Sequence, residues 1–149
     1  MADAARPPLR TGERLRGFTH VITRTDIVRY AGAGGDFNPL HHDDEVAHAA
    51  GFPSVFAMGL LPGGMLTRLW VGLMPDAVVR CYRLRFTAPV FPGRPLDFGG
   101  TVKDITAERD GVMLKIELHV KSGQGDLLIA GNADIWLPTL ANGDATAIG

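Results

Sequence analysis

Two residue types capable of proton transfer stand five positions apart, Asp36 and His41, in the run Gly35-Asp-Phe-Asn-Pro-Leu-His-His-Asp43. Pro39 excludes a helix interior, and Asn38 before it is pushed towards extended geometry. The segment is therefore irregular, and a turn at Pro39 can bring the carboxylate and the imidazole round to one small volume. Histidine titrates near neutral pH, so an imidazole beside a carboxylate is a proton-transfer pair. An Asp and a His this close in a loop also serve simply as a cap and a surface residue, so spacing leaves both readings open. Asn38 reads as support for the loop, through hydrogen bonds to backbone or to Asp36, or as a plain turn residue. His42 reads as a surface residue. The cluster His41-His42-Asp43-Asp44 contains metal-binding residue types, but adjacent residues rarely converge on one ion and no second ligand group stands at useful spacing, so no metal is expected.

Flanking elements must hold that loop. Residues 14–23 predict a first strand, with β-prone Phe18, Thr19, Val21, Ile22 and Thr23. Thr25 is expected to N-cap a short helix from Asp26 to about Ala33, with Ile27, Val28 and Ala31 as its apolar stripe and Gly34-Gly35 as its stop. Asp43 or Asp44 is expected to cap a second short helix, running to about Ala50. Residues 58–73 are the most apolar stretch, with only Thr67 and Arg68 conventionally polar, and predict one buried helix of about 24 Å. Pro62 suits its first turn, and Gly63 and Gly64 admit a close neighbour. Four strands are predicted at 78–89, 96–106, 112–121 and 127–137. Alternation is clear where Met113, Lys115, Glu117, His119 and Lys121 interleave with Val112, Leu114, Ile116, Leu118 and Val120. Asp110-Gly111 is a hairpin signal. One apolar sheet face needs a cover, and the buried helix is the sizeable candidate. The expected class is α+β, an antiparallel β-sheet wrapped around a central buried helix.

At 149 residues and 16.0 kDa, with 46% hydrophobic and 21% charged residues, the chain predicts one globular domain over 1–149. Its ends, about 1–10 and 140–149, read as a loose arm and a frayed tail. Fifteen Lys and Arg against 16 Asp and Glu leave a net charge of −1, without the basic footprint of a nucleic-acid partner. One cysteine, Cys81, excludes an internal disulfide. Residues 1–10 lack the apolar region of a signal peptide, and no stretch approaches the ~18 apolar residues of a membrane span. A cytoplasmic protein with no membrane partner is expected.

The run Asp36-Phe-Asn-Pro-Leu-His41 resembles the D-x-N-P-(L/I)-H signature of the MaoC-like family, the (R)-specific enoyl-CoA hydratases and acyl dehydratases. Asp43 or Asp44, Ala47, Gly51-Phe52 and Ala57-Met-Gly59 resemble the family's downstream D…A…F…AHG run. Arg85-Phe86-Thr-Ala-Pro89-Val90-Phe-Pro-Gly93 resembles its F-x-x-P-V-x-x-G strand and turn. The likeness extends from about Thr19 to Leu137. It implies the hot-dog fold and a reversible syn addition of water to a trans-2-enoyl thioester, giving a (3R)-hydroxyacyl product. Asp36 and His41 would share one water molecule. The Gly59 N–H, at the start of the buried helix, would face the thioester oxygen, which suits an unpaired helix-start amide.

Two positions depart from the family pattern: Met58 stands where many members carry histidine, and Thr67 where some carry a serine that helps position the site. Threonine on a helix also bonds to the preceding turn. Phe52 and Phe56 are expected to shape the acyl pocket, with Asn38, Met58 and Thr67 beside it. Arg83 and Arg85 read as a clamp for coenzyme A phosphates or as a solvated sheet face. Coenzyme A enters as part of the substrate, so no separate cofactor is expected. The implied partners are an acyl-CoA or acyl-carrier thioester and further hot-dog subunits, as a homodimer or a heteromer. A heteromeric hydratase subunit, a thioesterase and an acyl-thioester binder on the same fold are the alternatives.

Overall fold

The computed structural model describes residues 9–138. Five strands form one antiparallel sheet: β1 (Phe18–Val21), β2 (Val78–Phe86), β3 (Pro95–Glu108), β4 (Gly111–Ser122) and β5 (Leu127–Pro138), in the order β1-β3-β4-β5-β2. Between β1 and β2 in sequence come α1 (Arg24–Gly34), a 3₁₀ turn (Pro39–His41), α2 (Asp44–Ala49), α3 (Leu60–Met65) and α4 (Arg68–Val71). β1 and β2 lie at opposite edges of the sheet, so the helical segment that joins them must cross its face. This is the hot-dog arrangement that the resemblance implied.

The alternation in β4 explains which face is covered. Leu114, Ile116, Leu118 and Val120 are buried while Lys115, Glu117 and Lys121 are exposed. Phe98 of β3, Val120 of β4 and Ile129 of β5 stand opposite one another in register, all buried. Leu66, Leu69 and Trp70 join them in one core.

The single helix expected over 58–73 is two helices, α3 and α4, separated by a tight turn at Leu66 and Thr67. The Thr67 N–H donates to the Gly64 carbonyl at 3.1 Å, and its hydroxyl donates to the same oxygen at 2.8 Å. The Gly63 carbonyl, left without its Thr67 partner, accepts instead from the Tyr82 hydroxyl at 2.5 Å. Pro62, Gly63 and Gly64 are the weakest helix formers in the segment, so the ladder tightens there.

α3 rests on β2 through two glycines one turn apart. A side chain begun at Gly59 would meet the Phe86 ring at 2.7 Å, and one begun at Gly63 would meet Leu84 Cδ1 at 2.5 Å. Tyr82, Leu84 and Phe86 therefore form the strand face on which the helix sits.

Other boundaries shift for local reasons. Thr23, not Thr25, caps α1: its hydroxyl accepts from the Asp26 N–H, and the Asp26 carboxylate accepts from the Thr23 N–H in return. Gly35, at φ 69°, closes that helix. Asp43 caps α2, accepting from Glu45 and Val46, and α2 ends at Ala49. β2 ends at Phe86 rather than 89, because the Thr87 and Ala88 N–H groups both turn onto the Leu128 carbonyl. The hairpin turn is Arg109-Asp110, since Glu108 already pairs with Gly111. Of the expected arm and tail, residues 1–8 and 140–149 lie outside the described residues, whereas Leu9 packs against the core.

Candidate active site

The loop carrying Asp36 and His41 is built by its own polar residues. Asn38 accepts from the Leu40 N–H at 3.1 Å, and its own N–H donates to Asp36 Oδ1 at 3.3 Å. His42 and Asp43 N–H groups close on the Pro39 carbonyl. This turn swings His41 inwards to 11% side-chain exposure while Asp36 stays half exposed. His42 remains outside, its Nε2 3.2 Å from the Phe37 carbonyl oxygen.

His41 Nδ1 lies 2.7 Å from the Phe56 carbonyl oxygen. A carbonyl only accepts, so the neutral ring carries its proton on Nδ1 and its lone pair on Nε2. That Nε2 is 3.9 Å from Asp36 Oδ2. The gap is too long for a direct hydrogen bond, and it matches one water held at roughly 2.8 Å from both atoms. The Phe56 ring meets the imidazole edge to face at 5.2 Å.

The segment holding Phe56 is itself clamped. Asp44 Oδ1 accepts from the Val55 N–H at 3.1 Å, and both Asp44 oxygens take the Arg24 guanidinium, at 2.8 and 3.0 Å. Arg24 and the Val55 amide hold the Asp44 carboxyl below the ordinary carboxylate range. On the other side, the Ala57 N–H donates to the Val90 carbonyl at 2.8 Å.

A cavity of about 680 Å³ opens beside His41 and brings Asp36, Gly59, Phe52, Phe56 and Met58 to one space. Gly59 begins α3, and its N–H has no backbone acceptor among the described residues. Gly59 thus borders the same volume as Asp36 and His41. Sequence reasoning did not place Tyr30, Phe86, Val90 and Ile129 at the site, and they are among the residues that line the cavity. The alternation of β2 could have flagged Phe86, since it shares a face with Tyr82 and Leu84. Val90 stands in the loop after β2, within the motif that carries the resemblance, whereas Ile129 on β5 leaves no local signal. Asn38, Thr67, Arg83 and Arg85 do not line the cavity. The Thr67 hydroxyl is spent on the Gly64 carbonyl, and Arg83 and Arg85 are exposed on the opposite face of β2 from Tyr82, Leu84 and Phe86. Among the described residues no three His, Cys, Asp or Glu side chains converge as a metal site.

Fold and site define a hot-dog domain with an aspartate and a histidine side by side at its cavity. The chain belongs to the MaoC-like family, whose model, described as the MaoC like domain, matches residues 10–122. It is 38% identical over 140 residues to a mitochondrial 3-hydroxyacyl-(acyl-carrier-protein) dehydratase of Arabidopsis thaliana, covering 92% of this chain and 82% of that one. It is 33% identical to the beta subunit of the 3-oxo-4,17-pregnadiene-20-carboxyl-CoA hydratase of Mycobacterium tuberculosis, covering 71% of this chain and 80% of that one. An R-hydratase structure from Pseudomonas aeruginosa superposes with a TM-score of 0.78 at 26% identity, covering 95% of this chain and 94% of that one.

Proposed function

We propose that the chain is an (R)-specific enoyl-thioester hydratase, run in reverse as a 3-hydroxyacyl dehydratase. One observation carries the reading: the Phe56 carbonyl fixes the His41 tautomer so that the Nε2 lone pair faces Asp36 inside the cavity that Gly59 also borders. Water held between Asp36 and His41 adds its oxygen to Cβ as Nε2 takes one of its protons. The π electrons move onto the thioester oxygen, where the Gly59 N–H donates to the growing negative charge. The proton on Nε2 returns through the Asp36 carboxyl group to Cα. Net, one water has crossed the double bond and both side chains are restored. Both new bonds form on one face, which makes the addition syn. Coenzyme A or an acyl carrier supplies the thiol arm.

The test is loss of enoyl-thioester absorbance with crotonyl-CoA, with product configuration read by chiral analysis. Asp36→Asn and His41→Ala are expected to lower turnover by about 10²–10⁴-fold with the fold retained. Hydration left unaltered by either change rules the mechanism out.

A second reading, a subunit of a heteromeric hydratase, is favoured by the likeness to a beta subunit and by Met58 in the cavity wall. Expression alone separates the two: a soluble, active homo-oligomer supports the first, and an inert chain rescued by a co-expressed related chain supports the second.

A further inference from the structure

We infer that Tyr30 is a gate that sets how long an acyl chain the cleft accepts, and that a groove behind it, between α1 and α3, takes the far end of longer chains. This rests on the hydratase reading for the identity of the ligand.

Tyr30 lines two spaces, the 680 Å³ cavity and a separate groove of about 330 Å³. The partition is one residue thick on both sides. On α1, Gly34 borders the cavity and Ala33 the groove; on α3, Leu60 borders the cavity and Leu61 the groove. The Tyr30 ring is the side chain common to both.

That ring is not pinned. The tyrosine on β2, Tyr82, spends its hydroxyl on the Gly63 carbonyl, whereas the Tyr30 hydroxyl makes no hydrogen bond among the described residues. Gly34, one turn on, offers no side chain to brace it, and the ring edge lies 3.9 Å from where one would begin. A half-buried phenol held only by contacts changes rotamer without breaking a polar bond.

The groove suits an apolar occupant. Ala33, Leu61 and Met65 are its walls, and its one carboxylate, Asp26, is already engaged by Thr23. Of its nitrogen-bearing side chains, Arg29 is exposed and His20 half-buried. Of the two arms of an acyl thioester, the acyl tail matches these walls, and each methylene buried there is worth roughly four-fold in affinity.

The test is calorimetric binding of butyryl-, octanoyl- and dodecanoyl-CoA, which are saturated and cannot react. They are compared on the wild type, Tyr30→Ala, Tyr30→Leu and the double variant Tyr30→Ala/Ala33→Phe. Opening the gate is expected to raise the dodecanoyl-to-butyryl affinity ratio at least about ten-fold, and refilling the groove with Phe at position 33 to bring it back. An unchanged ratio in folded Tyr30→Ala overturns the proposal; should that variant fail to fold, the ratio in Tyr30→Leu decides. A change confined to the preference for CoA over N-acetylcysteamine thioesters also overturns it, because the groove would then hold the thiol arm. Hydration of the matching enoyl-CoAs is read separately. A wild type that binds the saturated series but hydrates none of the enoyl series sinks the hydratase reading, and the binding ratios still decide the gate.

Discussion

The Phe56 carbonyl decides which nitrogen of His41 is basic, and Asp44 decides where that carbonyl stands. Asp44 holds the Val55 amide, one residue before the carbonyl, and is itself held by Arg24 from the first turn of α1. Asp44→Ala is expected to lower turnover about ten-fold, and Asp44→Asn by less, since an amide oxygen still accepts from Val55. Nitrogen NMR of the histidines supplies the decisive readout: His41 is protonated on Nδ1 in the wild type and a tautomer mixture in Asp44→Ala. The same residue gives a pH signature. Its carboxyl lies below the usual 3.8 because Arg24 and Val55 favour the charged form. A carboxyl depressed on folding stabilises above its ordinary pKa, and the benefit fades as pH falls through the lowered value. The difference in melting temperature between wild type and Asp44→Asn is therefore expected to shrink as the pH is taken below 3.8.

At the scale of elements, the contact of α3 with β2 sets the position of the Gly59 amide. Leu84 is wedged on both sides: Cδ1 lies where a Gly63 side chain would begin, at 2.5 Å, and Cδ2 where a Gly131 side chain would begin, at 2.6 Å. It has nowhere to yield, so Gly63→Ala is expected to cost about 1–3 kcal/mol in urea unfolding. Phe86, at the end of its strand and half exposed, can swing away from Gly59, so the two glycines answer differently to the same substitution. Tyr82 ties the helix break to the strand. Tyr82→Phe leaves a buried carbonyl unpaired and is expected to cost about 1–2 kcal/mol. Burial pushes the Tyr82 hydroxyl up to about 12 from 10.0. A group raised on folding stabilises below its ordinary pKa and loses that effect as pH rises through the folded value. Wild-type stability relative to Tyr82→Phe is thus expected to decline from pH 10.0 towards about 12.

Over the whole molecule, one order of strands explains both core and cleft. Adjacent hairpins make the middle of the sheet, and the crossing from β1 to β2 carries every helix of the described residues between its two edge strands. Trp70 is the largest side chain buried in that layer, at 1% exposure, and Trp70→Ala is expected to cost about 3–5 kcal/mol, read from denaturant midpoints. The rim of the cavity carries apolar groups that water alone does not favour: Leu60 is 59% exposed and Phe86 49%. Light scattering of the purified chain is accordingly expected to give a multiple of 16.0 kDa.

Periodicity and spacing act over a few residues, so they were legible without coordinates. The alternation of residues 112–121 determined a half-buried strand. Pro39 determined that Asp36 and His41 share an irregular loop, and Gly35 determined where α1 stops. The apolar run over 58–73 foretold the burial of Leu66, Leu69 and Trp70, but not the exposure of Leu60, Val71 and Leu73 or the break at Thr67, where the donor that satisfies the freed Gly63 carbonyl is the Tyr82 hydroxyl on a distant strand. The tertiary structure alone decided the His41 tautomer, through a carbonyl 15 residues away, and alone set the Phe86 ring where a side chain at Gly59 would begin. Such contacts join segments whose separation along the chain carries no period, and only packing tells them which atoms they face.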